Sequence, residues 1–236
     1  MKTYKINLIR HGVTQANLDG LYAGHSDIPL CEQGKKQLEQ MVNDFEYPYT
    51  ETLFCSPLTR CIETAKIIYP DLKPIIINEL IEYNFGEFEG KTADELRSDE
   101  LFSSWLSDDA DSAPPFGESN RQFGDRVCTA FSKIVDGLIK TGTTSASIVA
   151  HGGVIMALMH CFAVPELPMT NWLVPNGCGY TITITPSVWS RIQKFEVLND
   201  LPITEEEITD ESSIACARKH LEDANFGFFN VIHREN

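Results

Sequence analysis

Short apolar runs alternate along most of the chain with stretches whose apolar residues have helical spacing. A short apolar run predicts a buried strand, and apolar residues at i, i+3, i+4 and i+7 predict a helix. Strands alternating with helices predict an α/β fold with a mostly parallel central sheet. The predicted strands are residues 3–9, 52–55, 74–77, 145–150, 178–185 and 190–198, and the predicted helices are 32–45, 58–69, 119–140 and 153–162.

Residues 86–118 interrupt this alternation. They contain several glycines and prolines, many acidic residues and scattered large apolar residues, which predicts short helices joined by loops. We expect them to form a cap inserted in a single domain that spans residues 1–200. Residues 201–236 are expected to be an acidic C-terminal extension, in which residues 210–224 could form a helix.

Composition excludes several classes of function. The chain has 236 residues and a net charge of −15, and it lacks the clustered lysines and arginines that bind nucleic acid. No apolar run approaches the length of a membrane-spanning helix, and the N-terminus does not resemble a signal peptide. Seven scattered cysteines without a Cys-x-x-Cys pair predict reduced thiols. The expectation is a cytoplasmic protein with neither a nucleic-acid nor a membrane partner.

Three predicted strands end at residues that can bind or attack a phosphate. Arg10-His11-Gly12 follows the first strand, residues 56–60 (Ser-Pro-Leu-Thr-Arg) follow the second, and His151-Gly152-Gly153 follows the fourth. Ligands of open α/β sheets bind at the carboxyl ends of the strands, so these side chains are expected to meet. Guanidinium groups match phosphate oxygens, and helix N-termini at the same edge favour an anion.

Taken alone, each of these residues has a simpler interpretation: His11 could be a structural hydrogen-bonding histidine, Arg60 a surface salt-bridge partner and His151 a polar helix start. Ser56 and Pro57 have the pattern of a helix start, a capping hydroxyl followed by proline. His11 and His151 could bind a metal together with a carboxylate. The flanking arginines would oppose a cation, and no helical His-x-x-x-His pair is present. A phosphate site therefore explains the three strand ends better.

A phosphohistidine at His11 would need a carboxyl group as its partner. That group would protonate the leaving alkoxide and later activate a water against the phosphohistidine. Glu79 and Glu82 both follow the third predicted strand and both are candidates from spacing alone. The alternative for either residue is an ordinary solvated acid in a loop.

Taken together, the motifs resemble the histidine phosphatase superfamily, also called phosphoglycerate-mutase-like. The resemblance extends in order from residue 6 to about residue 160. It implies a three-layer α/β/α sandwich with a helical cap inserted after the third strand. The matching segments are residues 8–14 with Asn17, 55–60 with 63–65, 82–90, 117–119 and 151–153.

The resemblance also implies the role of each candidate residue. His11 would be the phosphorylated nucleophile. The family's acid/base lies four residues before the glycine of its Phe-Gly-x-x-Glu-Gly motif, which selects Glu82 over Glu79. No metal and no other cofactor would be required. The residues implied to hold the phosphoryl oxygens are Arg10, Asn17, Arg60 and His151.

Within the superfamily, residues 17–25 most resemble the α-ribazole-5′-phosphate phosphatases of cobalamin nucleotide-loop assembly. The implied partner is a small phosphorylated metabolite, with α-ribazole 5′-phosphate as the first candidate. Tyr22, Phe102 and Trp105 could stack on a flat base, or they could be core residues of the cap. The sequence leaves the oligomeric state open.

Two other functions are alternatives. A cofactor-dependent phosphoglycerate mutase would use the same first step, but the insertion after Glu82 is short and the mutase-like Arg-His-Gly-Glu-Ser start is absent. A non-catalytic phosphate-binding module would need no nucleophile and acid together, and His11 and Glu82 are both present.

Overall fold

A central sheet organises the part of the chain described by the computed structural model, which is residues 2–106 and 110–203. Six of its seven described strands are parallel to one another, and one runs antiparallel. The predicted mostly parallel sheet is therefore confirmed. The strands are β1 (Tyr4–Arg10), β2 (Thr52–Cys55), β3 (Ile75–Ile76), β4 (Ser145–Ala150), β5 (Ala163–Val164), β6 (Gly179–Ile184) and β7 (Phe195–Leu201).

Helices cover both faces of this sheet, which gives the predicted three layers. The buried apolar side chains of α2 and α3 pack on one face, and those of α6, α7 and α8 pack on the other together with the cap. The helices are α1 (Gln15–Leu18), α2 (Glu32–Asp44), α3 (Thr59–Ile68), α4 (Ala93–Leu96), α5 (Glu100–Trp105), α6 (Asn120–Thr141), α7 (Gly152–Phe162) and α8 (Pro186–Ile192).

The strand order places the predicted functional segments side by side. Along the sheet the order is β3-β2-β4-β1-β6-β7-β5, with β6 the antiparallel strand. In the parallel pair of β1 and β4, Arg10 lies opposite Ala150, so His11 and His151 leave the sheet at the same level. Cys55 at the end of β2 lies opposite Val149. Three strand ends therefore meet at one edge.

The cap is continuous with the main core. Residues 86–118 include α4, α5 and a 3₁₀ turn at Gly86–Phe88. Tyr22, Phe102 and Trp105 are buried and touch one another edge-on or at a tilt, and the Trp105 indole N–H donates to the Tyr83 hydroxyl at 2.9 Å. Of the two interpretations of these aromatic residues, the structure supports the core.

One predicted strand is wrong in its position. The sequence predicts a strand over residues 190–198, but α8 occupies Pro186–Ile192 and β7 begins only at Phe195. Pro186 stands at the first turn of α8, where its fixed φ favours a helix start. Gln193 then adopts φ 48°, which ends the helix before the strand begins.

The C-terminal prediction lies largely outside the described residues. β7 continues to Leu201, and Ile203 forms a bridge with Glu46. The helix predicted over 210–224 and the rest of the acidic extension fall in the part that the structure does not describe. No helix within residues 2–106 and 110–203 is long and apolar enough to cross a bilayer.

Candidate active site

The three strand ends bring two histidines and two arginines into one group. The rings of His11 and His151 lie 5.3 Å apart between centroids, at 65° to each other. The Arg60 Nε donates to the His151 Nδ1 at 3.3 Å. Arg10 immediately precedes His11 at the end of β1. The meeting predicted from the strand ends is therefore present in the structure.

His11 is held in one tautomer and kept neutral. Its Nδ1 lies 2.7 Å from the carbonyl oxygen of Gly12, which can only accept, so Nδ1 bears the hydrogen and Nε2 keeps a lone pair. Burial, followed by the charges of Arg60 and Arg10, lowers the pKa of His11 well below its usual range. A buried neutral imidazole with a free Nε2 lone pair has the state that a nucleophile requires.

The backbone of His11 has a holder that the sequence analysis missed. Asn176 is buried, and its Nδ2 donates to the carbonyl oxygens of His11 at 3.0 Å and of Gly12 at 3.2 Å. The backbone N–H of Gly177 also donates to the His11 carbonyl oxygen, at 3.2 Å. Asn176-Gly177 is an ordinary turn signal in the sequence, and nothing local indicates its contact with His11.

Arg10 presents a donor without a partner. Its Nη1 donates to the carbonyl oxygen of Val174 at 2.7 Å, while its Nε is buried and makes no hydrogen bond with the described residues. Burial lowers the pKa of Arg10 to about 10, so the group stays charged at neutral pH. Unpaired buried donors are costly and rare. An anionic oxygen of a ligand would satisfy this one.

Arg60 is fully buried and orders both His151 and the loop before α2. Its Nη1 donates to the Ser26 carbonyl oxygen at 2.9 Å, and its Nη2 donates to the Gly24 carbonyl oxygen at 2.8 Å. Since a guanidinium only donates, the Nδ1 of His151 accepts from Arg60, and the hydrogen of the neutral ring lies on Nε2. Burial and the Arg60 charge lower the pKa of His151 well below its usual range.

Ser56 does not cap a helix as the sequence predicts, but contacts His151. α3 begins at Thr59, and Leu58 at its N-cap position makes no side-chain cap, so the predicted helix start at Ser56 is wrong. The Thr59 N–H donates instead to the Asp27 carboxylate at 2.7 Å. Ser56 is buried, and its Oγ lies 2.7 Å from the Nε2 of His151, from which it accepts the hydrogen bond.

Asn17 links the start of α1 to the nucleophile segment. Its Oδ1 accepts from the Thr14 backbone N–H and hydroxyl, both at 3.0 Å, and from the Asn176 Nδ2 at 3.3 Å. This capping arrangement uses the carbonyl side of the Asn17 amide. Its amide nitrogen is the part that could donate to a ligand.

Of the two candidate acids, the structure brings Glu82 to the group and leaves Glu79 exposed. Glu82 is buried; its Oε1 accepts from the Tyr83 N–H at 2.9 Å and its Oε2 from the Gly153 N–H at 3.1 Å. Burial raises the pKa of Glu82, while these bonds and the charges of Arg60 and Arg10 oppose the rise. A carboxyl with a raised pKa suits a group that both gives and takes a proton.

Gly153 is required for this approach. A Cβ at that position would lie 2.5 Å from the Glu82 Oε1, too close for any side chain. The glycine at the second position of α7 therefore lets the carboxylate reach the helix N-terminus.

The group as a whole can bind a tetrahedral dianion and exchange protons with it. Two guanidinium groups supply positive charge and two neutral imidazoles supply a nucleophile and a donor, with a buried carboxyl beside them. Within the described ranges, no three His, Cys, Asp or Glu side chains are grouped as metal ligands. Phosphoryl transfer is the chemistry that these groups fit.

Known proteins are similar in sequence to this chain. Residues 6–196 match the family model of the histidine phosphatase superfamily, branch 1. Adenosylcobalamin/alpha-ribazole phosphatase of Escherichia coli strain K12 is 32% identical over 199 residues, which cover 82% of this chain and 93% of that protein. A 2,3-bisphosphoglycerate-dependent phosphoglycerate mutase of Tropheryma whipplei strain Twist is 26% identical over 207 residues, covering 76% and 93%.

A solved structure with a similar fold has the same kind of name as the first of these relatives. The crystal structure of the alpha-ribazole phosphatase from Shigella flexneri matches with a TM-score of 0.71 at 29% identity, and the match covers 84% of this chain and 96% of that one. The family match, from residue 6 to residue 196, includes both histidines, Arg60 and Glu82.

Proposed function

The chain belongs to the histidine phosphatase superfamily, and we propose that it is a metal-independent phosphomonoesterase that acts through a phosphohistidine on His11. One observation carries the proposal. His11 is neutral with its lone pair on Nε2, the charge of Arg10 acts on it, and the buried Nε of Arg10 has no partner among the described residues. A phosphate bound there would satisfy the arginine and present its phosphorus to the imidazole.

In the first step, the His11 Nε2 attacks phosphorus and the bond to the leaving alkoxide breaks. Arg10, Arg60 and His151 hold the phosphoryl oxygens, with the Asn17 amide assisting, because negative charge on these oxygens must be stabilised in the transition state. His151 does so by sharing its Nε2 hydrogen between Ser56 and a phosphoryl oxygen. Glu82, in which burial raises the pKa and so favours the protonated form, gives its proton to the alkoxide.

In the second step, Glu82 acts as a base. It takes a proton from a water, which attacks the phosphorus and breaks the bond to His11. Inorganic phosphate leaves, and Glu82 is protonated again for the next substrate. His11 returns to its neutral form with Nδ1 still donating to the Gly12 carbonyl oxygen.

For the substrate, we propose a small phosphorylated metabolite, with α-ribazole 5′-phosphate as the first candidate. Residues 17–25 support it, as do the names of the relatives from Escherichia coli and Shigella flexneri. The mutase relative from Tropheryma whipplei keeps phosphoglycerate mutase as the second candidate. We propose the cytoplasm as its compartment, since the cysteines of the described ranges are free thiols.

The test measures phosphate release in EDTA by the wild type and His11→Ala. The panel is α-ribazole 5′-phosphate, 3-phosphoglycerate and an aryl phosphate. His160→Ala, an exposed histidine on α7, is the matched control. We expect metal-independent activity that is lost only in His11→Ala, and the highest kcat/KM for α-ribazole 5′-phosphate.

Two results would contradict the proposal. Equal activity of His11→Ala and the wild type would remove the nucleophile from the mechanism. With 2,3-bisphosphoglycerate present, conversion of 3-phosphoglycerate to its isomer faster than phosphate release would identify a mutase instead.

A further inference from the structure

Arg126, on the second turn of α6, binds the segment that contains Glu82 with its whole guanidinium group. Its Nη1 donates to the carbonyl oxygens of Glu79 at 2.7 Å and Ile81 at 2.8 Å, and its Nη2 donates to that of Glu82 at 2.8 Å. The Nε and Nη2 also donate to the two carboxylate oxygens of Glu118, at 2.9 and 2.6 Å. Each nitrogen of the group is therefore engaged.

Glu118 fixes the other side of the same segment. Its Oε1 accepts from the backbone N–H of Asn84 at 2.8 Å, while the Asn84 carbonyl oxygen accepts from the Glu118 N–H at 3.1 Å. The ion pair with Arg126 is largely shielded, with side-chain exposures of 21% for Arg126 and 14% for Glu118. Glu82 thus lies between two points, residues 81 and 84, that one ion pair holds.

The side chains of Tyr83 and Phe85 anchor this segment in the core, but its backbone is irregular. Between the 3₁₀ turn at Asn78–Leu80 and the 3₁₀ turn at Gly86–Phe88, its backbone has no regular structure. The Glu82 carboxyl must nevertheless reach the backbone N–H of Gly153 on α7. A displacement of about 1 Å at a reacting group can lower a rate by about 100-fold.

We propose that Arg126, held by Glu118, is a positioning residue that sets the place of the Glu82 carboxyl for proton transfer. The inference rests on the proposed function of Glu82. Arg126 contacts the backbone of Glu82 and not its carboxyl group, so it acts through the acid and does not itself touch the reacting atoms. The five contacts need a planar fork, which lysine lacks.

The charges around Glu82 predict how its titration responds. The backbone N–H bonds from Tyr83 and Gly153, followed by the charges of Arg60 on α3 and Arg10 on β1, lower the pKa of Glu82. The Cys61 thiol on α3 is a titratable group on which the Glu82 charge also acts. Burial is the cause that raises the pKa. When the segment loosens and water reaches the carboxyl, the pKa therefore falls towards its ordinary value.

The test compares R126K, R126A and E118Q with R121A. Arg121 is on the same helix and forms an exposed ion pair with Asp111 at 2.8 Å, so it is the matched control. The readout is kcat for an aryl phosphate across pH, because breakdown of the phosphohistidine then depends on Glu82 as a base. Each Arg126 variant is also made in an E82Q background, and unfolding temperatures establish that the variants fold.

We expect kcat to fall about 100-fold in R126K and R126A, and less in E118Q, which keeps the arginine. The acidic limb of the kcat profile should move to lower pH. R121A should change kcat by less than about fivefold, since exposed ion pairs contribute little. In the E82Q background the Arg126 substitution should cause almost no further loss.

An equal loss in the wild-type and E82Q backgrounds, or a loss without movement of the acidic limb, would overturn the positioning role. If R126A and R126K fail to fold, the same two criteria apply to E118Q. Wild-type turnover of E82Q itself would instead overturn the proposed function, whatever the Arg126 variants do.

Discussion

His11 and His151 each follow a central strand, whereas Glu82 lies on a segment without regular structure between β3 and the cap. We refer to Arg10, His11, Arg60 and His151 as the nucleophile half of the site, and to Glu82, Gly153 and Arg126 as the acid half. The β1–β4 ladder pairs residues from Lys5–Ser145 to Arg10–Ala150, so both histidines continue from hydrogen-bonded strands.

The acid half has no such ladder. The Glu82 carboxyl is held by two backbone N–H groups, and its backbone is held by one guanidinium. A single substitution can therefore remove every side-chain hydrogen bond to the backbone of Glu82, which then depends on the packing of its neighbour Tyr83, while the nucleophile half keeps its position through the sheet. We therefore expect the acid half to be the more sensitive to changes in residues that only hold the reacting groups.

The largest effect is expected from Glu82→Gln. With a poor leaving group, loss of the proton donor should lower kcat by about 10²- to 10⁴-fold. With an aryl phosphate, phosphohistidine should form and then accumulate, because no base activates water. Rapid quenching with labelled substrate detects the acid-labile phosphoenzyme.

Glu79→Gln is the control, because the Glu79 side chain is exposed and only its carbonyl oxygen contacts Arg126. It should behave as the wild type. Absence of labelled protein in Glu82→Gln would place the acid elsewhere.

Gly153→Ala should give the next largest effect. The new Cβ would lie 2.5 Å from the Glu82 Oε1 and 3.2 Å from its Cδ, so the carboxyl must move. We expect kcat to fall about 100-fold, with competitive inhibition by inorganic phosphate nearly unchanged because the nucleophile half stays in place.

Gly137→Ala on α6, where a Cβ meets nothing within 4 Å, is the matched control and should keep full activity. If the inhibition constant for phosphate rises in Gly153→Ala by the same factor as kcat falls, the two halves of the site are not independent.

Ser56→Ala tests a holder of the nucleophile half and should have a smaller effect. It removes the acceptor of the His151 Nε2 hydrogen bond, which is worth about 1 kcal/mol, or roughly fivefold in rate. The strand ladder keeps His151 in place. The measurement is kcat/KM, and Ser103→Ala, which changes an exposed serine, is the control. A loss of about 100-fold in Ser56→Ala would mean that the nucleophile half is as sensitive as the acid half.

The two halves should change the stability of the protein in opposite directions as pH falls. The folded-state pKa values of His11 and His151 lie well below the ordinary 6.5, so the unfolded chain binds more protons and stability falls as pH drops below 6.5. The raised pKa of Glu82 acts oppositely: its contribution is present at low pH and is lost as pH rises through that pKa.

Urea midpoints at pH 8 and pH 5.5 measure the histidine contribution, which should be on the order of 1 kcal/mol for each ring. His151→Asn should lose less stability on acidification than the wild type. An equal loss in both proteins would mean that His151 is not held neutral.

The nucleophile half could be predicted from sequence because strands leave a local pattern. The predicted strands 52–55 and 145–150 match β2 and β4, and β1 is displaced by one residue. Parallel strands end at one edge of a sheet, so the sequence alone is enough to bring Arg10, His11 and His151 together.

The acid half could not be predicted in the same way. Glu79 and Glu82 are equivalent in spacing, and only the family resemblance chooses between them.

Two contacts of the nucleophile half and one strand were also not predicted. The contacts of Asn176 and Ser56 escape prediction because their partners are 165 and 95 residues away, and such hydrogen bonds leave no periodic signal. The strand predicted over 190–198 fails because local proline chemistry at Pro186 prevails over apolar spacing.

The link between Asn176 and His11 also bears on the order in which the protein can form during synthesis. His11 leaves the ribosome 165 residues before Asn176, and β1 is flanked by β4 and β6, which also follow it in the chain. Contacts so distant in sequence make for slow, late assembly. The nucleophile is therefore translated well before it is fixed, and chains interrupted before β4 should contain a His11 that neither the sheet nor Asn176 has yet secured.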